Sequence, residues 1–274
     1  MNFVPQTDFT GAGFTYDSTY TNFGLTVYKQ YESLFGYDVR VSDHIQYLTE
    51  MGAGAHYYAQ SQQTAAFIKA QISVNLSSIS VDTKGTRAAF ISMSIIGYNG
   101  ACDMGIKKLN GGWYAFGYSH IENDYTQDWS NSLSPVANAS SVTITITPKR
   151  ENGYDKVIAD YTWYNSGGVI LSTQQLQMVR NAGKLFNLYN GKPFVRFQRF
   201  MSLIPASSAY PDTNDGSYLS GNIITPKLYT TNTSSVTWGT SYMDYIWSVQ
   251  GWNISALSVG NGDLFSCSHD HYVY

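Results

Sequence analysis

The stretch Ile68-Lys-Ala-Gln-Ile-Ser-Val-Asn-Leu76 alternates between apolar and polar side chains along its whole length. Alternation with a period of two is typical of a β-strand that buries one face and leaves the other in water. The same pattern returns over residues 142–147, where valine and isoleucine alternate with threonine. These stretches predict strands of sheets that pack one face against a core.

Asparagine and glycine mark the turns between further strands. Asn110-Gly-Gly112 and Asn165-Ser-Gly-Gly168 each separate two strand-like stretches, and such residues supply the positive φ and the side-chain hydrogen bonds that hairpin turns need. Other strands are predicted over residues 87–98, 102–109, 113–120, 156–164, 169–177, 194–203, 223–229, 235–239, 242–250 and 264–269.

About a dozen strands are more than one flat sheet usually carries. We therefore expect an all-β fold with little helix, a large antiparallel two-sheet sandwich of the jelly-roll or concanavalin-like type. No repeat or linker divides the chain, so residues 1–274 are expected to form a single β-sandwich domain with an irregular N-terminal segment over residues 1–66. Within that segment, Asp43 is suited to cap a short helix near residues 43–51.

The composition is low in charge. Charged residues make up 13% of the chain, against about 25% in average soluble proteins, and the net charge is −3. Without clustered Lys and Arg, a nucleic acid partner is not expected. No stretch approaches the roughly 20 apolar residues of a spanning helix, and the amino terminus lacks a signal-peptide pattern. The polar, uncharged surface resembles that of secreted bacterial β proteins, so we expect an extracellular or cell-envelope location.

Cys102 and Cys267 are the two cysteines of the chain. They are too few for a disulfide scaffold or a cysteine-rich zinc site. Either they form one bridge across a long loop, or they are two buried thiols.

Several common catalytic motifs are absent, including the nucleophile elbow, the phosphate loop and the dinucleotide fingerprint. We therefore expect no organic cofactor. Imidazole and carboxylate groups that could hold zinc or another divalent ion occur at two places in the sequence. These weak metal candidates are His120, Glu122, Asp124, His269 and His271.

Strand parity predicts one polar sheet face. Over residues 113–120, 156–164 and 194–203, one alternate set of side chains is the more apolar and is expected to face the core. The other set comprises Tyr114, Tyr118, His120, Asp160, Tyr164, Arg196 and Gln198. Aromatic rings stack on the apolar face of a sugar, while hydroxyl, carboxylate, amide and guanidinium groups bind its hydroxyls. This face predicts a lectin-like protein that binds a polysaccharide or another glycan.

Two alternatives stay open. A polysaccharide lyase needs an acid, a base and groups that neutralise a uronate carboxylate, and residues of those types are Tyr118, His120, Arg196 and Gln198. A glycoside hydrolase on the same fold is a related alternative. A non-catalytic structural or surface protein also fits the composition, and a groove with convergent polar groups would distinguish a binding protein from it. The sequence does not predict the oligomeric state.

Overall fold

The computed structural model describes residues 14–16, 27–30, 38–42, 55–82, 87–109, 112–121, 127–131, 134–205, 218–249 and 253–268, with side chains for residues 58–82, 88–109, 112–121, 134–203, 218–243 and 260–266. The strands in chain order are β1 (Phe14–Tyr16), β2 (Val27–Gln30), β3 (Asp38–Ser42), β4 (Ala55–Ser61), β5 (Lys69–Asn75), β6 (Ser80–Asp82), β7 (Arg87–Ile96), β8 (Gly100–Leu109), β9 (Gly112–Ile121), β10 (Gln127–Asn131), β11 (Ser141–Glu151), β12 (Tyr154–Tyr164), β13 (Ile170–Asn181), β14 (Asn187–Tyr189), β15 (Lys192–Phe194), β16 (Arg196–Pro205), β17 (Tyr218–Tyr229), β18 (Ser235–Thr237), β19 (Met243–Val249), β20 (Asn253–Val259) and β21 (Asp263–Ser268).

These strands form two large sheets. The ten-stranded sheet has the order β1-β2-β3-β19-β4-β16-β7-β8-β9-β10. The nine-stranded sheet has the order β13-β12-β11-β5-β17-β21-β20, and β6 and β18 pair with β17. Within the described residues, β3 and β19 form the one parallel pair, and helix occurs only as 3₁₀ turns at Leu76–Ser78 and Thr240–Tyr242. The predicted all-β sandwich with little helix is confirmed.

The hydrophobic core lies between the two sheets. Ile72 of β5 and Ile144 of β11 are fully buried in one cluster with Ile91 of β7 and Met104 of β8. Because β5 and β11 belong to the nine-stranded sheet, and β7 and β8 to the ten-stranded sheet, this cluster joins the two. The alternate residues of each strand therefore point outward, away from the partner sheet.

The turn after Tyr164 forms as its sequence predicts. The Asn165 side-chain oxygen accepts hydrogen bonds from the backbone N–H groups of Gly167 at 2.9 Å and Val169 at 3.0 Å. Gly168 has a φ of +76°, which glycine adopts without strain. This loop joins β12 to β13, whose pairing runs along both strands.

Two Asn-Gly turns were missed in the sequence. Asn152 and Gly153 have φ values of 53° and 79°, and they connect β11 to β12. Asn190 and Gly191, with φ values of 49° and 75°, connect β14 to β15 in a small separate hairpin. Both pairs have the left-handed backbone that a two-residue hairpin turn requires.

The N-terminal part of the chain differs from the expectation of irregular structure. Four strands, β1 to β4, fall within residues 1–66 and join the ten-stranded sheet, so the expectation was wrong for these residues. β1 pairs with β2 and β2 with β3 in chain order, whereas β3 pairs with β19, and β4 with β16 and β19, which lie far along the chain. Weak local patterns do not predict such distant pairing. The helix predicted near residues 43–51 falls entirely on residues that are not described.

Cys102 is a free thiol, buried in the core between the sheets. Of the two alternatives for the cysteines, a bridge from Cys102 to Cys267 is therefore not formed. Burial raises the pKa of the Cys102 thiol well above its usual range, with a smaller contribution from the neighbouring Asp103. The thiol is neutral and packs as a small apolar side chain.

A buried ion pair also connects the sheets. Arg199 of β16 and Asp263 of β21 are almost completely buried, and Arg199 Nε and Nη2 donate to the two carboxylate oxygens at 2.5 and 2.6 Å. The guanidinium further donates to the carbonyl oxygens of Trp238 and Gly260 and lies 4.8 Å from the Trp238 ring centre. Pairing both charges and satisfying the remaining donors makes this burial tolerable.

A second buried carboxylate, Asp155 of β12, holds the loop before β14. One oxygen accepts from Arg150 Nε at 2.6 Å. The other accepts from the backbone N–H groups of Gly183, Leu185 and Phe186 at 2.9, 3.0 and 3.3 Å. These bonds satisfy backbone donors that no strand pairs, so Asp155 fixes the shape of this loop.

Candidate functional site

The outward face of the ten-stranded sheet carries most of the polar groups that were predicted to share a surface. On β9, a Cβ at Gly117 would meet the side chains of Met104 and Met178, so this residue faces the core. Its neighbours Phe116 and Tyr118 therefore face outward. Phe116 accordingly belongs to a cluster separate from the main core.

A row of polar side chains crosses this face. We call Gln60, Gln198, Ser94, Asp103 and Tyr118 the polar row. They lie on β4, β16, β7, β8 and β9, and each stands directly opposite the next across neighbouring strands. Each lies between core-facing neighbours in its strand. The alternation of inward and outward side chains thus places five polar groups in one line.

Hydrogen bonds connect members of the polar row. Gln60 Nε2 donates to Gln198 Oε1, and Ser94 Oγ donates to Asp103 Oδ1 at 2.6 Å. Gln60 and Gln198 are each 6% exposed, whereas Asp103 and Tyr118 are half-buried. Among the described residues, the buried Gln60 Oε1 has no hydrogen-bond partner. The accessible end of the row is therefore on β8 and β9.

An aromatic cluster runs beside the polar row. It consists of Ala88, Phe90, Phe116 and Phe200, with Tyr58, Leu109 and Tyr118 packed against it. The Phe90 and Phe116 rings meet edge to face with centres 5.0 Å apart, and the Tyr58 and Phe200 rings are 5.3 Å apart. Such ring pairs stabilise each other beyond the apolar area they bury. Tyr118 belongs to both groups, which joins the aromatic and polar surfaces.

Strands β7 and β8 approach each other closely beneath the aromatic cluster. A Cβ at Gly105 would lie 2.2 Å from Ser92 Cβ and 2.4 Å from the Ile91 carbonyl oxygen. No side chain fits at that distance. Gly105 stands opposite Phe116 on β9, and Ser92 of β7 fills the space that a side chain at Gly105 would take.

Asp103 is the electrostatic centre of the site. Burial raises the pKa of this carboxyl group, while the hydrogen bond from Ser94 and the charge of His120 oppose the rise. Burial also raises the pKa of Tyr118, with a further contribution from Asp103. The carboxyl group therefore takes up a proton more readily than an exposed aspartate, and it can act as a donor as well as an acceptor.

Three predicted ligand-binding residues lie together on β9. Tyr114, Tyr118 and His120 point outward and are half-buried, and the Tyr118 and His120 rings have centres 5.9 Å apart. Gln198 lies in the polar row. Arg196 is two residues before Gln198 on β16, so it points to the same face. The strand register aligns it, across β7 and β8, with His120 on β9.

Asp160 and Tyr164 lie elsewhere, and their predicted place on the shared face was wrong. Both are on β12 of the nine-stranded sheet, and they point outward on the opposite side of the sandwich. Asp160 is exposed there and accepts a hydrogen bond from Gln175 Nε2 at 2.7 Å. Parity correctly predicted that they point away from the core, but it cannot predict which sheet a strand joins.

The four residues suggested for a lyase do not converge. Tyr118 and His120 are on β9, whereas Arg196 and Gln198 are on β16, with β7 and β8 between them. Three strand spacings place the two pairs roughly 14 Å apart along the sheet. Groups at this separation do not all reach one uronate residue, so the four residues do not form a single catalytic centre.

For the metal candidates, only His120 has a described side chain. Glu122, Asp124, His269 and His271 fall outside the described side chains. In the described part of the chain, no group of three His, Cys, Asp or Glu residues is arranged to hold a metal ion. A metal site at these residues stays a prediction.

Asp103 and Gln60 were missed in the sequence. Asp103 alternates with the core-facing Cys102 and Met104, so strand parity was sufficient to place it outward. For Gln60 the signal was weaker, because β4 lies in the stretch that was expected to be irregular. Sequence reasoning therefore found the β9 side of the face but not its central carboxylate.

No family model matches the chain, and no curated protein matches it either. Among solved structures, scytalidoglutamic peptidase with a peptide-based transition-state analogue is similar at 11% identity and a TM-score of 0.44, over 78% of this chain and 98% of that one. SCP-B, an eqolisin-family peptidase in complex with the tripeptide Ala-Ile-His, has 12% identity, a TM-score of 0.44 and the same shares of the two chains. A functionally unknown protein from Saccharomyces cerevisiae has 14% identity and a TM-score of 0.27, over 71% of this chain and 97% of that one. Within the described residues, no helix has the length and apolar character to span a membrane.

Proposed function

We propose that the outer face of the ten-stranded sheet is a carbohydrate-binding surface for an extended glycan. The observation that carries the proposal is the set of half-buried side chains at the accessible end of the polar row, where Asp103 lies opposite Tyr118 and near Tyr114 and His120 of β9. The phenylalanine rings of the aromatic cluster are buried, and they pack against the Tyr118 ring. A sugar chain has hydroxyls on its rim and apolar patches on its ring faces, so it needs parallel polar and aromatic surfaces. The accessible end at Asp103, Tyr118 and His120 is the centre of binding.

The spread of the accessible groups supports an extended ligand. Asp103 and Tyr118 are the half-buried members of the polar row, and Arg196 on β16 is half-buried on the same face. Tyr118 and Arg196 lie three strand spacings apart, which corresponds to roughly 14 Å across the sheet. A single sugar residue would reach only one end of this span, whereas an extended chain lying across the strands can reach both ends.

Binding is better supported than cleavage. A glycoside hydrolase uses two carboxyl groups that flank the scissile bond, and Asp103 is the one carboxylate among the outward side chains described on this face. The raised pKa of Asp103 nevertheless favours a second candidate function, acid-catalysed cleavage at the same surface. We place the ligand outside the cell, because the low-charge surface is typical of secreted β proteins.

The test compares two tyrosines that undergo the same change. Wild type, Tyr118→Phe and Tyr164→Phe are titrated with neutral oligosaccharides selected from a glycan array. Tyr118→Phe removes one hydroxyl from the accessible end of the row, and we expect about a five- to tenfold loss of affinity, equal to one hydrogen bond. Tyr164→Phe, on the opposite sheet, should bind as wild type does.

Cleavage is measured in the same samples as binding, so that the two activities are distinguished. Reducing ends, unsaturated products and new amino termini are measured after incubation with polysaccharides and with a denatured protein. Release of reducing ends that depends on Asp103 would favour the hydrolase over the binding protein. Failure to bind any glycan, or equal losses in both tyrosine variants, would contradict the proposal.

A further inference from the structure

A cavity of about 560 Å³ lies on the outer face of the nine-stranded sheet, across the sandwich from the polar row. Its volume falls within the roughly 300–1,000 Å³ that is usual for small-molecule sites. Strands β5, β11 and β12 form its floor. The hairpin of β14 and β15 and the loop that contains Asn232 contribute to its walls.

Three lysines from three separate elements line this cavity. They are Lys69 of β5, Lys149 of β11 and Lys192 at the start of β15. The chain as a whole has a net charge of −3, so this clustering makes one local positive region on a weakly acidic protein. Positive charge in a concave site attracts anionic ligands.

Lys69 is held in place by its neighbours. Its Nζ donates to the carbonyl oxygen of Asn232 at 3.1 Å and lies 4.2 Å from the Tyr229 ring centre. Two donor positions of the ammonium group stay available after this bond. Lys149 is less available because its Nζ also lies 3.2 Å from a Glu151 carboxylate oxygen.

The floor of the cavity has acceptors and hydroxyls as well as cations. Thr145 and Thr147 of β11 line it, and Thr145 stands opposite Asp160 of β12. One Asp160 oxygen accepts from Gln175 at 2.7 Å, which leaves the other carboxylate oxygen to accept from a ligand hydroxyl.

This mixture of groups discriminates between classes of ligand. Sulfate offers no donor to Asp160, and both sulfate and phosphate are repelled by its charge. A neutral sugar gains nothing from the lysine charges. A ligand with both negative groups and hydroxyls uses the two kinds of contact together.

We propose that this cavity is a second binding site, which takes an acidic oligosaccharide. Lys69 and Lys192 hold its anionic groups, and Asp160 and Thr145 hold its hydroxyls. The site goes beyond the proposed function, since it lies on the other sheet and selects a ligand of different charge. Its existence does not depend on binding at the polar row.

The experiment measures binding of a tetrauronate by calorimetry at low ionic strength, where charge contacts are least screened. The double variant Lys69→Gln/Lys192→Gln is compared with Lys184→Gln/Lys227→Gln, which changes the net charge equally at lysines that do not line the cavity. We expect about a tenfold loss of affinity in the first variant, because two charge-assisted hydrogen bonds are removed. The control should change by less than about twofold.

Further arms identify the ligand class and the site. A neutral oligosaccharide of the same length and inorganic phosphate should both bind at least about tenfold more weakly than the uronate. Tyr118→Phe should leave uronate binding unchanged. The proposal would be overturned if both lysine variants lost the same uronate affinity, or if phosphate or a single-stranded RNA bound as tightly as the uronate. It would also be overturned if no uronate bound, or if Tyr118→Phe lost uronate affinity. Circular dichroism and thermal unfolding establish that every variant is folded.

Discussion

Removing the Asp263 carboxylate is expected to destabilise the protein strongly. Asp263→Leu leaves the Arg199 guanidinium buried, with two carbonyl acceptors and the Trp238 ring but no counter-charge. Breaking a buried ion pair from one side costs about 3–5 kcal/mol. This is a large part of the 5–15 kcal/mol that stabilises a typical domain. In a chain of this size it corresponds to a fall in melting temperature of roughly 10 °C.

The assay is urea unfolding followed by tryptophan fluorescence, with Arg199→Met, Asp263→Leu and the double variant side by side. Asp263→Leu leaves the buried Arg199 charge without its partner, and Arg199→Met leaves the buried Asp263 charge without its partner. The double variant removes both charges. We therefore expect the double variant to recover most of the loss. Single losses below about 1 kcal/mol, or a double loss equal to their sum, would refute the reasoning.

Three further predictions concern other buried groups. Burial raises the pKa of Asp103, so its contribution to stability is present below the unfolded-state pKa of about 4 and is lost as the pH rises through the folded-state pKa. Urea unfolding at several pH values should therefore show wild type losing stability relative to Asp103→Asn over that interval. A constant difference between the two proteins would contradict this. Asp155→Ala should cost about 3 kcal/mol and speed amide exchange in the loop it binds, whereas the exposed Asp160→Ala should stay within about 0.5 kcal/mol. Gly105→Ala should cost about 1–3 kcal/mol in thermal unfolding, because its Cβ meets the neighbouring strand. Gly260→Ala is the control and should be nearly neutral, since its Cβ meets nothing within 4 Å. Equal losses in the two variants would contradict the packing argument.

The fold was predictable because its strands alternate over long distances. Valine and isoleucine on β11 are buried and the threonines between them are not, as the spacing indicates. The four strands before residue 62 were not predictable in the same way. The last two of them depend on partners far along the chain, since β3 pairs with β19 and β4 lies between β16 and β19.

Residues of the site were predictable only where a strand had a clear apolar face. Tyr118 and His120 could be placed outward because Ala115 and Gly117 alternate with them. Arg199 was not expected in the core, since a charged residue at a core-facing position normally argues against burial. Its partner Asp263 is 64 residues away in sequence, and nothing local indicates that the two meet.

The separation of Asp160 from Tyr118 has a consequence for function. Both point away from the core, but they lie on different sheets, so a ligand that contacts one cannot contact the other. The polar row offers one carboxyl group of raised pKa beside aromatic rings, whereas the cavity at Asp160 offers three lysines. The two proposals together therefore predict ligands of different charge on opposite sides of the sandwich.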